Sequence, residues 1–313
     1  MKKLLLAVIG FAALITGPAM AADREARVYY RRPVVAPVAS WTGLYVGVNA
    51  GGIRNDNNSV TTLSVPVADF NPAVGSYATP AAAGASGIVP LGNRGSFMGG
   101  GQVGYNWQFG PVSPFVAGVE ADIEGIARNS NSGALPTAVG PFTLGGTNAQ
   151  VVTTVISSSR TLDWLGTARG RFGYLVTPSL LAYGTGGLAY GHVGASTAIT
   201  QSNNDAVFFP ATPIQTVAAT AGTFSQMRYG WTVGAGAEWM FMANWSAKIE
   251  YFYYDLGSVT FPNGALVVSS GGFTAAAGPV VIASASSTRF NGNIIRVGLN
   301  YKFGNYYAPV VTK

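Results

Sequence analysis

Hydrophobic and polar residues alternate strictly along several segments of the chain after position 40. In one of them Val119, Ala121 and Ile123 share one parity, whereas Glu120 and Asp122 share the other. A period of two is typical of β-strands, because successive side chains point to opposite faces of a sheet. Eight segments show the pattern, the fifth with an ambiguous register, and we predict that they are strands: 41–49, 97–109, 115–128, 162–174, 180–193, 227–241, 245–253 and 295–303.

Charged residues in these segments fall on one face, which also carries many glycines, such as Gly104 and Gly234. A water-facing surface gains nothing from glycine, whereas a crowded lumen does. We therefore predict an all-β fold, an eight-stranded antiparallel transmembrane β-barrel with the charged face inside. Because buried charges are tolerable only when paired, we expect a lumen charge network. Its predicted members are Glu120, Asp122, Glu124, Arg128, Asp163, Arg169, Arg171, Arg228, Glu238, Lys248, Glu250, Arg296 and Lys302.

The links between the predicted strands alternate in length. Short turns lie at 110–113, 177–178 and 242–244, and links of roughly 30 to 40 residues follow the first, third, fifth and seventh strands. This asymmetry is typical of outer-membrane barrels, so we expect short periplasmic turns and four long extracellular loops. Outward aromatic residues at the short-turn end predict an aromatic girdle at the membrane interface, with a second set near the loop end. The girdle comprises Trp107, Phe115, Tyr174, Trp239, Trp245, Tyr301 and Phe303.

The composition agrees with a membrane barrel. Hydrophobic residues make up 48% of the chain and charged residues 10%, and the mean hydropathy is +0.28. No segment after the N-terminus approaches the ~20 apolar residues of a spanning helix, which leaves a closed barrel as the way into a bilayer. The chain has no cysteine, which excludes disulfides and thiolate metal sites.

The N-terminal segment has the features of a Sec signal peptide. Lys2 and Lys3 precede an apolar run over 4–15, and the small-residue site Ala19-Met20-Ala21 follows. We expect a signal peptide over 1–21, a periplasmic linker over 22–40, an outer-membrane barrel over 41–303 and a C-terminal tail over 304–313. The predicted location is the cell outer membrane.

Several strand motifs resemble alphaproteobacterial outer-membrane β-barrel proteins of the opacity-porin/immunogenic-protein family. The similar segments are 41–51, 100–107, 118–122, 244–251 and 297–303. The resemblance implies a surface-exposed, antigenic barrel that maintains the envelope; some relatives are described as porins and some as haem binders. It also implies that the terminal aromatic residue, here Phe303, is the signal that the barrel-assembly machinery reads. This chain departs from the family pattern because ten residues follow Phe303.

We expect a structural and surface-antigen role, with the lumen plugged by paired charges. The expected partners are outer-membrane lipid and lipopolysaccharide, the barrel-assembly machinery, and host or surface ligands that bind the loops. Nucleic acid is not expected, since the net charge of +6 is weak and scattered on an exported chain. One alternative is a small porin that passes ions or small solutes through gaps in the network.

A second alternative is surface haem binding through His192, the only histidine. We expect neither a metal nor a cofactor otherwise, and no enzymatic activity. A histidine acting as a base needs a nucleophile and an orienting carboxylate, and its sequence neighbours offer only Ser196 and Thr197.

Overall fold

The computed structural model describes residues 40–69, 77–92, 95–110, 113–127, 130–144, 148–204, 215–268 and 279–303. The predicted signal peptide, all but the last residue of the predicted linker, the predicted tail and Arg128 lie outside the described residues. Within the described part of the chain, no helix is long and apolar enough to cross a membrane. The elements are β1 (Gly43–Asn55), β2 (Ser59–Ala68), α1 (Ala78–Gly84), β3 (Gly87–Pro90), β4 (Ser96–Gln108), β5 (Phe115–Ile126), β6 (Ser130–Leu144), β7 (Asn148–Thr177), β8 (Leu180–Asn204), β9 (Gln215–Met240), β10 (Trp245–Pro262), β11 (Leu266–Val268) and β12 (Val280–Lys302).

Eight of the strands form a closed antiparallel ring. Neighbours pair in the order β1, β4, β5, β7, β8, β9, β10 and β12. The ring closes because β12 also pairs with β1, with Val48 opposite Leu299. Each predicted strand corresponds to one strand of this ring, and the prediction of an all-β antiparallel barrel is confirmed.

The alternating pattern determines which face of each ring strand points inward. On β5, Val119 and Ile123 are exposed on the outer face, whereas Glu120, Asp122 and Glu124 are buried. On the other ring strands the part of the outer face nearer the short turns is likewise apolar, as Val103, Leu188 and Val233 show, and an apolar surface suits contact with lipid.

The sheet continues beyond the ring on the side away from the short turns. There β6 pairs with the upper part of β7, and β2 pairs with the upper part of β12. The helix α1 lies within this extension, where Ala81 belongs to the same buried cluster as Ile156 and Ile199. Gln201 anchors the helix, since its Nε2 donates to the carbonyl oxygen of Ala81 at 2.9 Å. The long links thus contain more regular structure than the sequence predicted.

A β-bulge interrupts β7 and reverses its parity. Leu162 pairs with Val193 and Trp164 pairs with His192, so Asp163 is an extra residue on β7. An extra residue shifts every following side chain to the opposite face. The prediction that Asp163 faces the lumen is therefore wrong. The side chain of Asp163 is 56% exposed, and Leu162 is only 2% exposed.

The inward glycine at position 104 is required by a close approach. A Cβ there would lie 2.3 Å from Oη of Tyr45, a buried group that hydrogen-bonds to Glu120. We expect Gly104→Val to lower the free energy of unfolding by about 1–3 kcal/mol, because the tyrosine is displaced. Urea titration of the heat-modifiable folded band on gels measures the change.

The matched control is Gly101→Val on the outer face of the same strand. A Cβ at Gly101 has ordinary contacts, the nearest being the carbonyl oxygen of Gly47 at 3.7 Å. The Gly101→Val variant should unfold at the same urea concentration as the wild-type protein. Equal destabilisation by both substitutions would contradict the steric explanation.

Candidate functional site: the lumen and a polar cluster on the outer face

The lumen holds a buried ion network built by strand register. On β5 the carboxylates alternate with outward residues, so Glu120, Asp122 and Glu124 line one inner face. Antiparallel pairing sets Glu120 opposite Arg169 and Glu250 opposite Arg296. The network, as the name is used below, comprises Glu120, Asp122, Glu124, Arg169, Arg171, Glu238, Lys248, Glu250 and Arg296.

Glu120 is the most connected carboxylate of the network. It accepts hydrogen bonds from Nη2 of Arg169 at 2.5 Å and from Nζ of Lys248 at 2.9 Å. Tyr45 donates its hydroxyl to the same carboxylate at 2.7 Å. Because all these groups are buried, the opposite charges and hydrogen bonds replace the solvation that water would provide.

Arg296 joins the two sides of the network. Its Nη2 lies 2.9 Å from Asp122 and 2.7 Å from Glu250, and its Nη1 donates to Glu124. The ring of Phe252 contacts two guanidinium groups, with 4.8 Å from its centroid to Arg296 and 4.9 Å to Arg169. Cation–π contacts of this kind stabilise a cation where water is excluded.

Apolar layers lie on both sides of the network. Towards the short turns the buried cluster includes Trp41, Leu181 and Met240. Towards the loop end a larger cluster includes Phe252 and Ile294. A cavity of about 10 Å³ near the short-turn end has room for about one water molecule. Buried side chains therefore line the lumen on both sides of the network.

The other residues predicted for the network lie elsewhere. Asp163 is on the outer face, as described above. Arg228 is partly exposed, and its Nη2 donates to the carbonyl oxygen of Ser258 at 3.0 Å. Lys302 is half-buried beside the small cavity, where its Nζ contacts the carbonyl oxygen of Ser40. Arg128 lies outside the described residues.

Sequence reasoning missed an inward arginine beyond the bulge. Arg160 is buried, and its Nη1 donates to the carbonyl oxygen of Arg289 at 2.6 Å. Its guanidinium also lies 5.1 Å from the centroid of Phe290. Only knowledge of the bulge would have assigned Arg160 to the inner face.

The residues of the predicted aromatic girdle lie on the outer face at the short-turn end, and five of them make ring contacts with one another. Phe115 packs edge-on against Tyr174, with centroids 5.6 Å apart. Tyr301 makes edge contacts with Trp245 and Phe303, each at 5.1 Å. Trp107 and Trp239 are also outward and about half exposed.

A second polar arrangement lies on the outer face near the loop end. Nδ1 of His192 is 2.8 Å from Oδ2 of Asp163, and Nε2 is 3.3 Å from Oγ of Ser225. These residues come from three adjacent strands, β7, β8 and β9, and we call them the outer-face triad. The bulge is what turns Asp163 towards His192. No sequence pattern indicated this cluster, since Ser225 is 33 residues from His192 and the parity of Asp163 predicted the lumen.

Removing one partner from the ion network should be strongly destabilising. We expect Arg296→Leu to lower the free energy of unfolding by about 3–5 kcal/mol, because Glu124, Asp122 and Glu250 lose a buried cation. The free energy of unfolding is measured in lipid vesicles by urea titration, with tryptophan fluorescence as the signal. The control is Arg54→Leu, at an exposed position on the outer face of β1. Its free energy of unfolding should lie within about 0.5 kcal/mol of the wild-type value. A similar loss in the two variants would argue against buried pairing.

Comparisons with known proteins agree with this architecture. The family model described as "Outer membrane protein beta-barrel domain" matches residues 9–303. The chain is 32% identical over 306 residues to the 31 kDa outer-membrane immunogenic protein of Brucella melitensis biotype 1, covering 97% of this chain and 100% of that protein. It is 31% identical over 194 residues to the 22 kDa outer membrane protein of Rhizobium leguminosarum bv. viciae, covering 58% and 69%.

Among solved structures, the outer membrane protein OprG from Pseudomonas aeruginosa aligns with a TM-score of 0.40 at 10% identity, covering 86% of this chain and 100% of that one. The family match spans nearly the whole chain, and the Brucella relative is matched along its full length. The chain therefore belongs to the outer membrane protein β-barrel domain family and is a protein of the outer membrane.

Proposed function

We propose that the protein is a structural component of the outer membrane and a surface antigen, with a lumen closed by its own side chains. The observation that carries this proposal is the buried ion network between two apolar layers. The Brucella relative is named an immunogenic outer-membrane protein, which supports exposure of the loop end at the cell surface.

The pairing in the network opposes ion passage. Each cation contacts at least two carboxylates: Lys248 contacts Glu120 and Glu250, and Arg171 contacts Glu238 at 2.6 Å and Glu120 at 3.7 Å. A permeating ion would have to separate such pairs at low dielectric, where each separation costs several kcal/mol. The apolar layers on either side provide no ligands to replace its water shell.

The extended sheet and α1 give the described part of the loop end regular structure. Its outer face bears small polar residues, among them Ser157, Ser159 and Thr223. Such a surface suits lipopolysaccharide sugars and host or surface ligands, which we propose as partners together with membrane lipid. We also propose that the barrel-assembly machinery reads Phe303, whose ring is outward in the girdle at the end of β12.

Haem capture is less well supported than the structural role. Both ring nitrogens of His192 already have polar partners, so iron binding through Nε2 would displace Ser225. Transport remains the alternative that a direct measurement of the lumen addresses.

Planar-bilayer recording of the refolded barrel tests the closed lumen. We expect no steady conductance from protein whose heat-modifiable gel mobility shows that the barrel has formed. The Arg169→Gln and Glu120→Gln variants, each of which removes one charge of the network, should likewise show no steady conductance steps. Steady steps in the wild type that change in size with either substitution would overturn the structural proposal in favour of a small porin.

A further inference from the structure

The outer-face triad has the arrangement of an acyl-transfer site. From the geometry we infer that Ser225 is a nucleophile, His192 its base and Asp163 a positioning residue, and that the site hydrolyses carboxylic esters of outer-leaflet lipids. Oδ2 of Asp163 lies 2.8 Å from Nδ1 of His192, and Nε2 of the same ring lies 3.3 Å from Oγ of Ser225. A serine hydroxyl is a weak nucleophile until an adjacent base accepts its proton, which is what this order of groups provides.

The position of the triad on the barrel indicates the substrate class. On the membrane side of the triad, Trp164 packs edge-on against Tyr190 at 5.9 Å, and Tyr229 is largely exposed. Tryptophan and tyrosine collect at the boundary between hydrocarbon and headgroups. His192 is two residues beyond Tyr190 on β8, about 7 Å farther along the strand towards the loop end.

On the other side of the triad the outer face becomes polar. Ser159 and Ser196 hydrogen-bond to each other at 2.7 Å, and neighbouring outward positions are serine, threonine and alanine. The triad thus lies where the apolar surface ends, at the depth at which lipid acyl chains are esterified to their headgroups. The side chains are reachable from outside, since that of His192 is 34% exposed and that of Asp163 is 56% exposed.

The reaction follows from these positions. With Nδ1–H donating to Asp163, Nε2 of His192 accepts the proton of Ser225 while Oγ attacks the ester carbonyl carbon. The tetrahedral intermediate expels the alcohol oxygen, which takes the proton from Nε2 and leaves an acyl-serine ester. A water molecule then attacks that ester and gives its proton to Nε2. The proton returns to Oγ as the bond to the acyl group breaks, and a free fatty acid is released.

Covalent labelling tests the nucleophile directly. The refolded full-length protein is treated with an alkyl fluorophosphonate, whose phosphorus a base-activated serine attacks with loss of fluoride. We expect peptide mass spectrometry to locate the adduct on Ser225, and we expect His192→Ala to slow labelling by at least about 100-fold. Heat-modifiable mobility verifies that each variant is folded. The control is Ser196→Ala, an outer-face serine four residues from His192, which should be labelled like the wild type.

The substrate is tested with two lipid sources in separate arms. The protein is reconstituted into vesicles of phosphatidylethanolamine or into bilayers containing lipopolysaccharide, and released fatty acid is measured by mass spectrometry. We expect release in one arm that disappears in Ser225→Ala and persists in Ser196→Ala; that arm identifies the source. Asp163→Asn should reduce kcat by at least about 10-fold and leave KM unchanged, since it positions the base without touching lipid.

Two results would overturn the inference. A folded barrel that acquires no adduct on Ser225, or whose fatty-acid release survives Ser225→Ala, has no serine nucleophile there. An adduct on Ser225 without release from either lipid would overturn the lipid ester as substrate. None of these results bears on the conductance of the lumen, so the proposed structural function is judged independently.

Discussion

The constraint on which the structure depends is the narrowness of an eight-stranded ring. The interior of such a ring is about wide enough for side chains to fill, so a charge placed there is stabilised by neighbouring side chains of opposite charge. Glu120 satisfies this requirement with Arg169, Lys248 and Arg296 at once. The inward glycines follow from the same lack of space, as Gly104 beside Tyr45 illustrates. The limited space inside the ring therefore constrains both the pairing of the strands and the residue types on their inner faces.

This internal network separates the requirements on the two faces of the barrel. The inner face holds the strands in register through charge pairs that link distant parts of the chain, such as Glu124 with Arg296. On the outer face, the band between the two levels of aromatic residues needs only to be apolar, and many residue types meet that requirement. The residues that hold the barrel together are thereby concentrated on its inner face.

The ring could be predicted from sequence because the period-two pattern marks both faces wherever charged residues occur. On β5 and β10 the residues of the network that the pattern assigned to the inner face are buried, among them Asp122 and Lys248. The extension beyond the ring could not be predicted. Its strands are rich in serine, threonine, glycine and alanine, which give no contrast between faces, and the backbone alone makes the pairing visible.

The bulge in β7 explains why the alternation pattern placed Asp163 in the lumen and why it did not indicate the outer-face triad. One extra residue at Asp163 sends Arg160 into the lumen above it and leaves Arg169 in the lumen below it. The same residue brings a carboxylate outward to Nδ1 of His192. Bulges occur preferentially where a strand must redirect a side chain. A regular strand would have buried Asp163 and left His192 without an orienting partner, so the irregularity that defeats the alternation pattern is also what assembles the outer-face triad.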